Sequence, residues 1–181
     1  IIGEESVVAE AELINIIRIV LQRLGLEPEI QVNSRNVLFS VLESLDITTS
    51  RDSVILTLDK YEKKGRQGVI DELVEKGVVP SRAERLLDVL NVQGSNKEKL
   101  EQLRDYGDFD ELEELTTLLS AYNCKWTFNP YLARGLNYYT GIIFEAFDKE
   151  SGVTSSLSAG GRYDDMVGAL ANTDIAAVGA S

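Results

Sequence analysis

The strongest constraint on the fold is a change of texture along the chain. Nine of the 13 aromatic residues lie between Tyr122 and Tyr163. In that stretch, β-branched and aromatic runs at 125–129, 142–148 and 154–158 read as strands. The pair Gly160-Gly161 ends the last of them, a short helix succeeds it over 163–170, and 175–179 reads as a buried strand. Upstream, apolar residues at positions 7, 11, 14, 17, 21 and 24 recur at the spacing of a helix with one buried face. Gly25 supplies a stop for that helix. A short strand over 29–33 and a helix over 35–45 come next.

From Ser50 onward, short helical stretches are punctuated by Gly65, Gly77, Gly94 and Gly107. Ser81 with Glu84, Ser95 with Glu98 and Asp108 with Glu111 fit a capping pattern in which a short polar side chain and a carboxylate satisfy the first free N–H groups. We therefore divide the chain into a first core part (1–49), an all-helical insertion (50–105) and a second core part (106–181). The second part opens with a returning helix to about Tyr122. The expected class is α/β (α+β), a mixed or antiparallel sheet with flanking helices, because neighbouring strands outnumber β-α-β crossovers.

With 44% hydrophobic residues the chain can bury a sizeable core. No apolar run approaches the ~20 residues of a bilayer span and no signal peptide is evident, so a cytoplasmic protein without a membrane partner is expected. The apolar opening, Ile1-Ile2, and the closing stretch to Ser181 read as cuts through a larger fold.

The chain contains no histidine and one cysteine, Cys124. That removes serine–histidine catalysis, disulfide frameworks and Cys/His metal centres, and no metal-ligating residue is assigned. The net charge of −12 argues against a dedicated nucleic-acid binder. The charge is uneven, however: residues 50–105 hold 11 basic and 11 acidic side chains. Lys60, Lys63, Lys64 and Arg66 cluster there, readable as a polyanion contact or as a solvated helix end. The acidic run 108–114 is explained by a helix N-terminus. Cys124 and Trp126 read as core.

Two stretches carry chemistry, Ala133-Arg-Gly-Leu-Asn-Tyr-Tyr-Thr-Gly141 and Ser158-Ala-Gly-Gly-Arg-Tyr-Asp164. A guanidinium, here Arg134, suits two-bond recognition of carboxylate and phosphate oxygens. Gly135, Gly160 and Gly161 allow close approach to the backbone. Tyr138, Tyr139 and Tyr163 offer aromatic walls with hydroxyl handles, suited to a flat polar ring. The alternative is that the tyrosines are core and the glycines turns.

These two stretches resemble the paired signatures of histidyl-tRNA synthetases, a class II aminoacyl-tRNA synthetase family. The opening Ile-Ile-Gly-Glu-Glu-Ser with Ala-Glu-Ala-Glu-Leu behind it is similar to the segment just after that family's second motif. The closing Ala-Ala-Val-Gly-Ala-Ser is similar to the strand leading into its third. The resemblance implies an ATP-dependent ligase that activates histidine as histidyl-adenylate and transfers it to tRNA(His), with Mg2+ accompanying ATP and a homodimeric parent. It implies Arg134 as the cation bridging the histidine carboxylate and the α-phosphate. Tyr138, Tyr139, Tyr163, Gly160 and Gly161 would hold histidine, with Arg162, Gly135 and Asn137 as further contacts. For Arg162, an ion pair with Asp164 or Asp165 is the structural alternative. The Lys60–Arg66 cluster would face the tRNA.

Asn137 departs from the family's frequent Asp, and the family's first motif, its second motif with the ATP-clamping arginine, the arginine of its third motif and its anticodon-binding domain are not in this chain. The chain alone is therefore expected to be inactive. Alternatives are the histidine-sensing regulatory paralogue of ATP phosphoribosyltransferase and a synthetase-like interaction module.

Overall fold

The structure is a computed structural model, and it describes residues 1–134, 138–148 and 155–181. Helix α1 (Val8–Arg23) ends where Gly25 turns to φ +82°, a conformation that costs glycine nothing. β1 (Pro28–Ser34) leads directly into α2 (Arg35–Ser44). Ser34 marks the junction: its hydroxyl accepts the Asn36 N–H at 3.1 Å and donates to Glu111.

Residues 50–105, expected as a helical insertion, hold α3 (Arg51–Leu58), α4 (Tyr61–Glu75), α5 (Pro80–Leu90) and α6 (Asn96–Leu103). Gly65 breaks α4 internally at φ +66°. After it come α7 (Asp110–Ala121), β2 (Thr127–Phe128), β3 (Ile142–Asp148), β4 (Ser158–Arg162), α8 (Asp164–Ala171) and β5 (Val178–Ala180).

The strands form one mixed sheet in the order β2-β1-β3-β4-β5. β1 and β2 run parallel, and the other neighbours are antiparallel. α1 packs across one face of this sheet and α7 packs on α1. Period-two alternation on β3 sends Phe144 and Ala146 into this helix-covered core, and Ile143 and Glu145 to the other face. The apolar core runs without a break from the sheet, through Ile14, Val32 and Phe144, into the helices of residues 50–105 at Leu73, Leu86 and Leu103.

Several expectations shift. The strand expected over 154–158 forms instead at Ser158–Arg162, so Gly160 and Gly161 lie inside it and do not break it. Gly160 is opposite Phe144 and Ala180 in register, and a Cβ there would collide with the Gly179 carbonyl. The missing side chains are a packing requirement of the sheet. Pro80, not a Ser81 cap, starts α5, with Val79 at the N-cap; proline fits a first turn that needs no donor. Asp108 accepts the Asp110 N–H at 2.9 Å, but α7 starts one residue later than a capping box would have it, and Glu111 turns to Ser34 and Asn36. Only Ser95 with Glu98 forms the full reciprocal cap. Cys124 is buried and Trp126 packs against the core.

Candidate ligand site on the uncovered sheet face

The face of the sheet opposite α1 brings together Tyr138, Tyr139, Tyr163, Gly161 and Arg134, whereas Gly160 and Arg162 of β4 face the α1 side. Tyr139 is buried, and Tyr138 and Tyr163 are half-buried. Their rings form a cluster: Tyr138 to Tyr139 at 4.6 Å between centroids, Tyr138 to Tyr163 at 6.1 Å and edge-on, Tyr139 to Tyr163 at 6.4 Å. Leu132 and Ile143 close the packing beneath.

Backbone geometry explains why the rings can lie so low. Gly161 and Gly179 are direct partners across β4 and β5 and so share a face. A Cβ on Gly161 would stand 2.8 Å from the Tyr139 ring, and one on Gly179 would collide with the Tyr163 hydroxyl. Two facing glycines thus form the bed on which two tyrosines rest. Sequence reading reached Gly161 but not Gly179, because its role appears only when β5 pairs with β4.

A cavity of about 280 Å³ opens over this bed, lined by Tyr138, Tyr139, Ala159, Tyr163, Met166 and Gly179 with the last two residues of the chain. A larger hollow of about 480 Å³ near α8 is rimmed by Glu5, Asp164, Asp165 and Asp174. Those carboxylates repel carboxylate and phosphate ligands, so the smaller tyrosine cavity is the candidate site. Burial first, then the neighbouring Tyr138 hydroxyl, push the Tyr139 phenol up to about 12. It therefore stays protonated, and able to donate, at neutral pH.

Arg134 stands on the same face. Its Nη1 pairs with Glu145 of β3, to which Ser156 also donates at 3.5 Å. Its Nε is buried with no hydrogen-bond partner among the described residues, an uncommon situation for a buried donor. Glu145 was not foreseen; its alternation on β3 is the signal that places it on this face. Gly135 and Asn137 lie outside the described residues.

Arg162 has a partner that the sequence did not indicate. Its Nε and Nη2 donate to the two carboxylate oxygens of the fully buried Glu10 at 2.7 and 2.9 Å. The expected contact with Asp164 exists only at 3.4 Å, and further bonds go to the Glu4 and Ser6 carbonyls. Arg162 thereby ties β4 to α1 beneath the tyrosine bed.

The basic cluster at Lys60–Arg66 is engaged internally. Lys60, Lys64 and Lys76 surround Glu72 at 2.6, 2.6 and 2.9 Å, Arg66 pairs with Asp88 at 2.7 Å, and Lys63 is exposed. Hydrogen bonds from the three ammonium groups hold the Glu72 carboxyl well below the usual carboxylate range. A depressed carboxyl confers stability that is complete above its unfolded pKa of about 4.3 and is lost as pH falls toward the folded value. Melting curves between neutral pH and about pH 3 are expected to fall less steeply for Glu72→Gln than for the unaltered protein, from a lower neutral starting point. Parallel curves would contradict this.

The fold is shared with aminoacyl-tRNA synthetase structures. It matches the crystal structure of histidyl-tRNA synthetase from Nostoc sp. PCC 7120 with a TM-score of 0.89 and 27% identity, covering 99% of this chain and 46% of that one. It also matches an ATP phosphoribosyltransferase regulatory subunit/histidyl-tRNA synthetase from Bacillus halodurans C, with a TM-score of 0.81 over 99% of this chain and 48% of that one. At 24% identity, the second likeness speaks for the fold alone. In sequence, the family model described as Histidyl-tRNA synthetase matches residues 1–181. A protein named histidine–tRNA ligase 1 from Bacillus cereus is 40% identical over 180 residues, covering 94% of this chain and 42% of the relative. The chain belongs to the histidyl-tRNA synthetase family, and it spans about two-fifths of the length of the curated relatives it matches.

Proposed function

We propose that the full-length protein is a histidine–tRNA ligase and that this chain supplies its histidine-reading surface. The observation that carries the reading is the juxtaposition of the Tyr139–Tyr163 bed with Arg134 on one sheet face. Histidine would lie with its imidazole against the tyrosine rings, a hydroxyl meeting a ring nitrogen, while Arg134 faces its carboxylate. Gly161 would keep the backbone low beneath it, while Gly160 beside it lets β4 pack on Phe144 from the other face.

In the activation step the histidine carboxylate oxygen attacks the α-phosphorus of ATP, and pyrophosphate leaves with the bond electrons. Negative charge builds on the α-phosphoryl oxygens. A guanidinium already held there stabilises that charge without reorganising, which is where catalytic advantage arises. Arg134 would have to share or leave Glu145 to do so, a movement that would also have to uncover its buried, partnerless Nε for a second oxygen. Mg2+ belongs to the family's use of ATP. Among the described residues no group of three or more His, Cys, Asp or Glu side chains is disposed to hold a metal, and no step is assigned to the ion through this chain.

ATP, tRNA(His) and a homodimeric partner are proposed for the full-length protein. Lys63 and the rim of the Lys60–Lys64–Arg66 cluster are its proposed tRNA contacts, and a three-part division at 49/50 and 105/106 its proposed organisation. No described helix is long and apolar enough to cross a membrane. Arg134 favours the ligase over a histidine sensor, which has no transition state to stabilise.

The reading is tested by histidine-dependent ATP–pyrophosphate exchange in the full-length protein. Exchange should appear with histidine and not with other amino acids. Tyr139→Phe should lower kcat/KM for histidine by roughly ten- to a hundredfold, since an unmet buried polar group costs about 1–3 kcal/mol. It should also narrow the gap to competing amino acids. Exchange that is indifferent to histidine would refute the assignment, and unchanged selectivity in the variant would refute the role of Tyr139.

A further inference from the structure

Arg134 adopts a left-handed backbone conformation, φ +48°. The other non-glycine residues with φ near +50° among the described ones are Asp46, Asn123 and Asn172, the types that tolerate this region through local side-chain hydrogen bonds. Arginine has no such compensation, so something else must hold the turn. The two peptide N–H groups at this point, from Ala133 and Arg134, both donate to a single oxygen, Oδ1 of Asp59, at 3.1 Å each.

Asp59 does not belong to the sheet. It is the residue that closes α3, at the α3–α4 corner of the helical insertion, 75 positions away from Arg134 in the chain. Two residues on, Tyr61 stacks on Tyr131 with centroids 3.9 Å apart and planes 12° from parallel. The sheet side holds the same loop from the opposite direction: Asn33 donates to the Leu132 carbonyl at 2.8 Å, and Asn129 donates to Gln31 at 2.7 Å. The loop is therefore gripped between β1 and the insertion, and Asp59 holds the Ala133 and Arg134 peptide groups.

We propose that Asp59 is a positioning residue: by accepting the Ala133 and Arg134 N–H groups, it fixes the strained turn from which the Arg134 guanidinium, paired with Glu145 beside the tyrosine bed, would reach the reacting groups. This rests on the ligase reading above. It gives the helical insertion a part in histidine activation that does not depend on any contact with nucleic acid. Strained backbone persists only where surrounding contacts over-determine it. Releasing it would let the guanidinium sample orientations away from the reacting phosphate, while the tyrosine bed, packed on β3, β4 and β5, stays in place.

The test is histidine-dependent ATP–pyrophosphate exchange by the full-length protein and three variants, with thermal melts alongside. Asp59→Ala should lower kcat about 10- to 100-fold, the scale expected for misplacing a reacting group by about an ångström. KM for histidine should change little. Asp59→Asn keeps an oxygen at the same reach, still able to accept both N–H groups, and should restore most of kcat. Asp59→Glu keeps the charge but displaces the carboxylate, and should lose kcat as Asp59→Ala does. If Asp59→Ala unfolds, the contrast between the Asn and Glu variants decides alone. A folded Asp59→Ala protein with unaltered kcat, or Asn and Glu variants that behave alike, overturns the proposal while leaving the ligase reading in place. Absence of histidine-dependent exchange in the unaltered protein overturns both.

Discussion

Replacing Arg134 with alanine in the full-length protein is expected to lower the rate of histidine activation by about a hundred- to a thousandfold, the usual loss when one preorganised donor to a developing oxyanion is removed. The loss should fall on kcat, because the contact with the α-phosphoryl group strengthens only as charge develops. Arg134→Lys should recover a fraction, since an ammonium supplies the charge but not the planar fork that reaches two oxygens. The fold should survive: Arg134 lies on a loop, and its main partner, Glu145, retains partial contact with solvent. Single-turnover measurement of adenylate formation, with a melt to show the fold is intact, checks the prediction. Activation within about threefold of the unaltered rate in a folded variant would remove Arg134 from the mechanism.

The second large effect concerns stability. Glu10 is fully buried, and both of its carboxylate oxygens are bonded to Arg162. Removing one partner of such a pair leaves a buried charge uncompensated, at a cost of about 3–5 kcal/mol. For a chain of this size that corresponds to a fall in Tm of roughly 6–20 °C. Glu10→Ala should therefore melt far lower than Glu10→Gln, which keeps the shape and an acceptor for Arg162. Replacing both residues with methionine should restore much of the loss, because the apolar pair carries no desolvation cost. If the single alanine variant melted within a degree or two of the unaltered protein, the pair would not be holding β4 to α1.

The parts of this molecule that announce themselves in sequence are those whose signal is periodic or contiguous. The apolar positions of α1 and the β-branched run of β3 repeat at the spacings their elements demand. The Arg134 and Arg162 stretches concentrate unusual residues within a few positions. What stayed hidden depends on pairing across long separations. Glu10, Glu145 and Asp59 are single carboxylates in ordinary surroundings, and each acquires its role only when the fold brings an arginine or a strained peptide beside it. Gly160 and Gly161 misled for a related reason. Locally they punctuate a strand, yet the sheet needs them as strand residues because Phe144 and Tyr139 occupy the volume their side chains would fill.

The central claim is that the tyrosine bed beside Arg134 reads histidine. Calorimetric titration of the full-length protein with L-histidine, using phenylalanine as a control, tests it most directly when paired with the Tyr139→Phe variant. Saturable binding of histidine, absent with phenylalanine and weakened in the variant, is the predicted result. Equal binding of the two amino acids, or histidine binding untouched by loss of the Tyr139 hydroxyl, would contradict it.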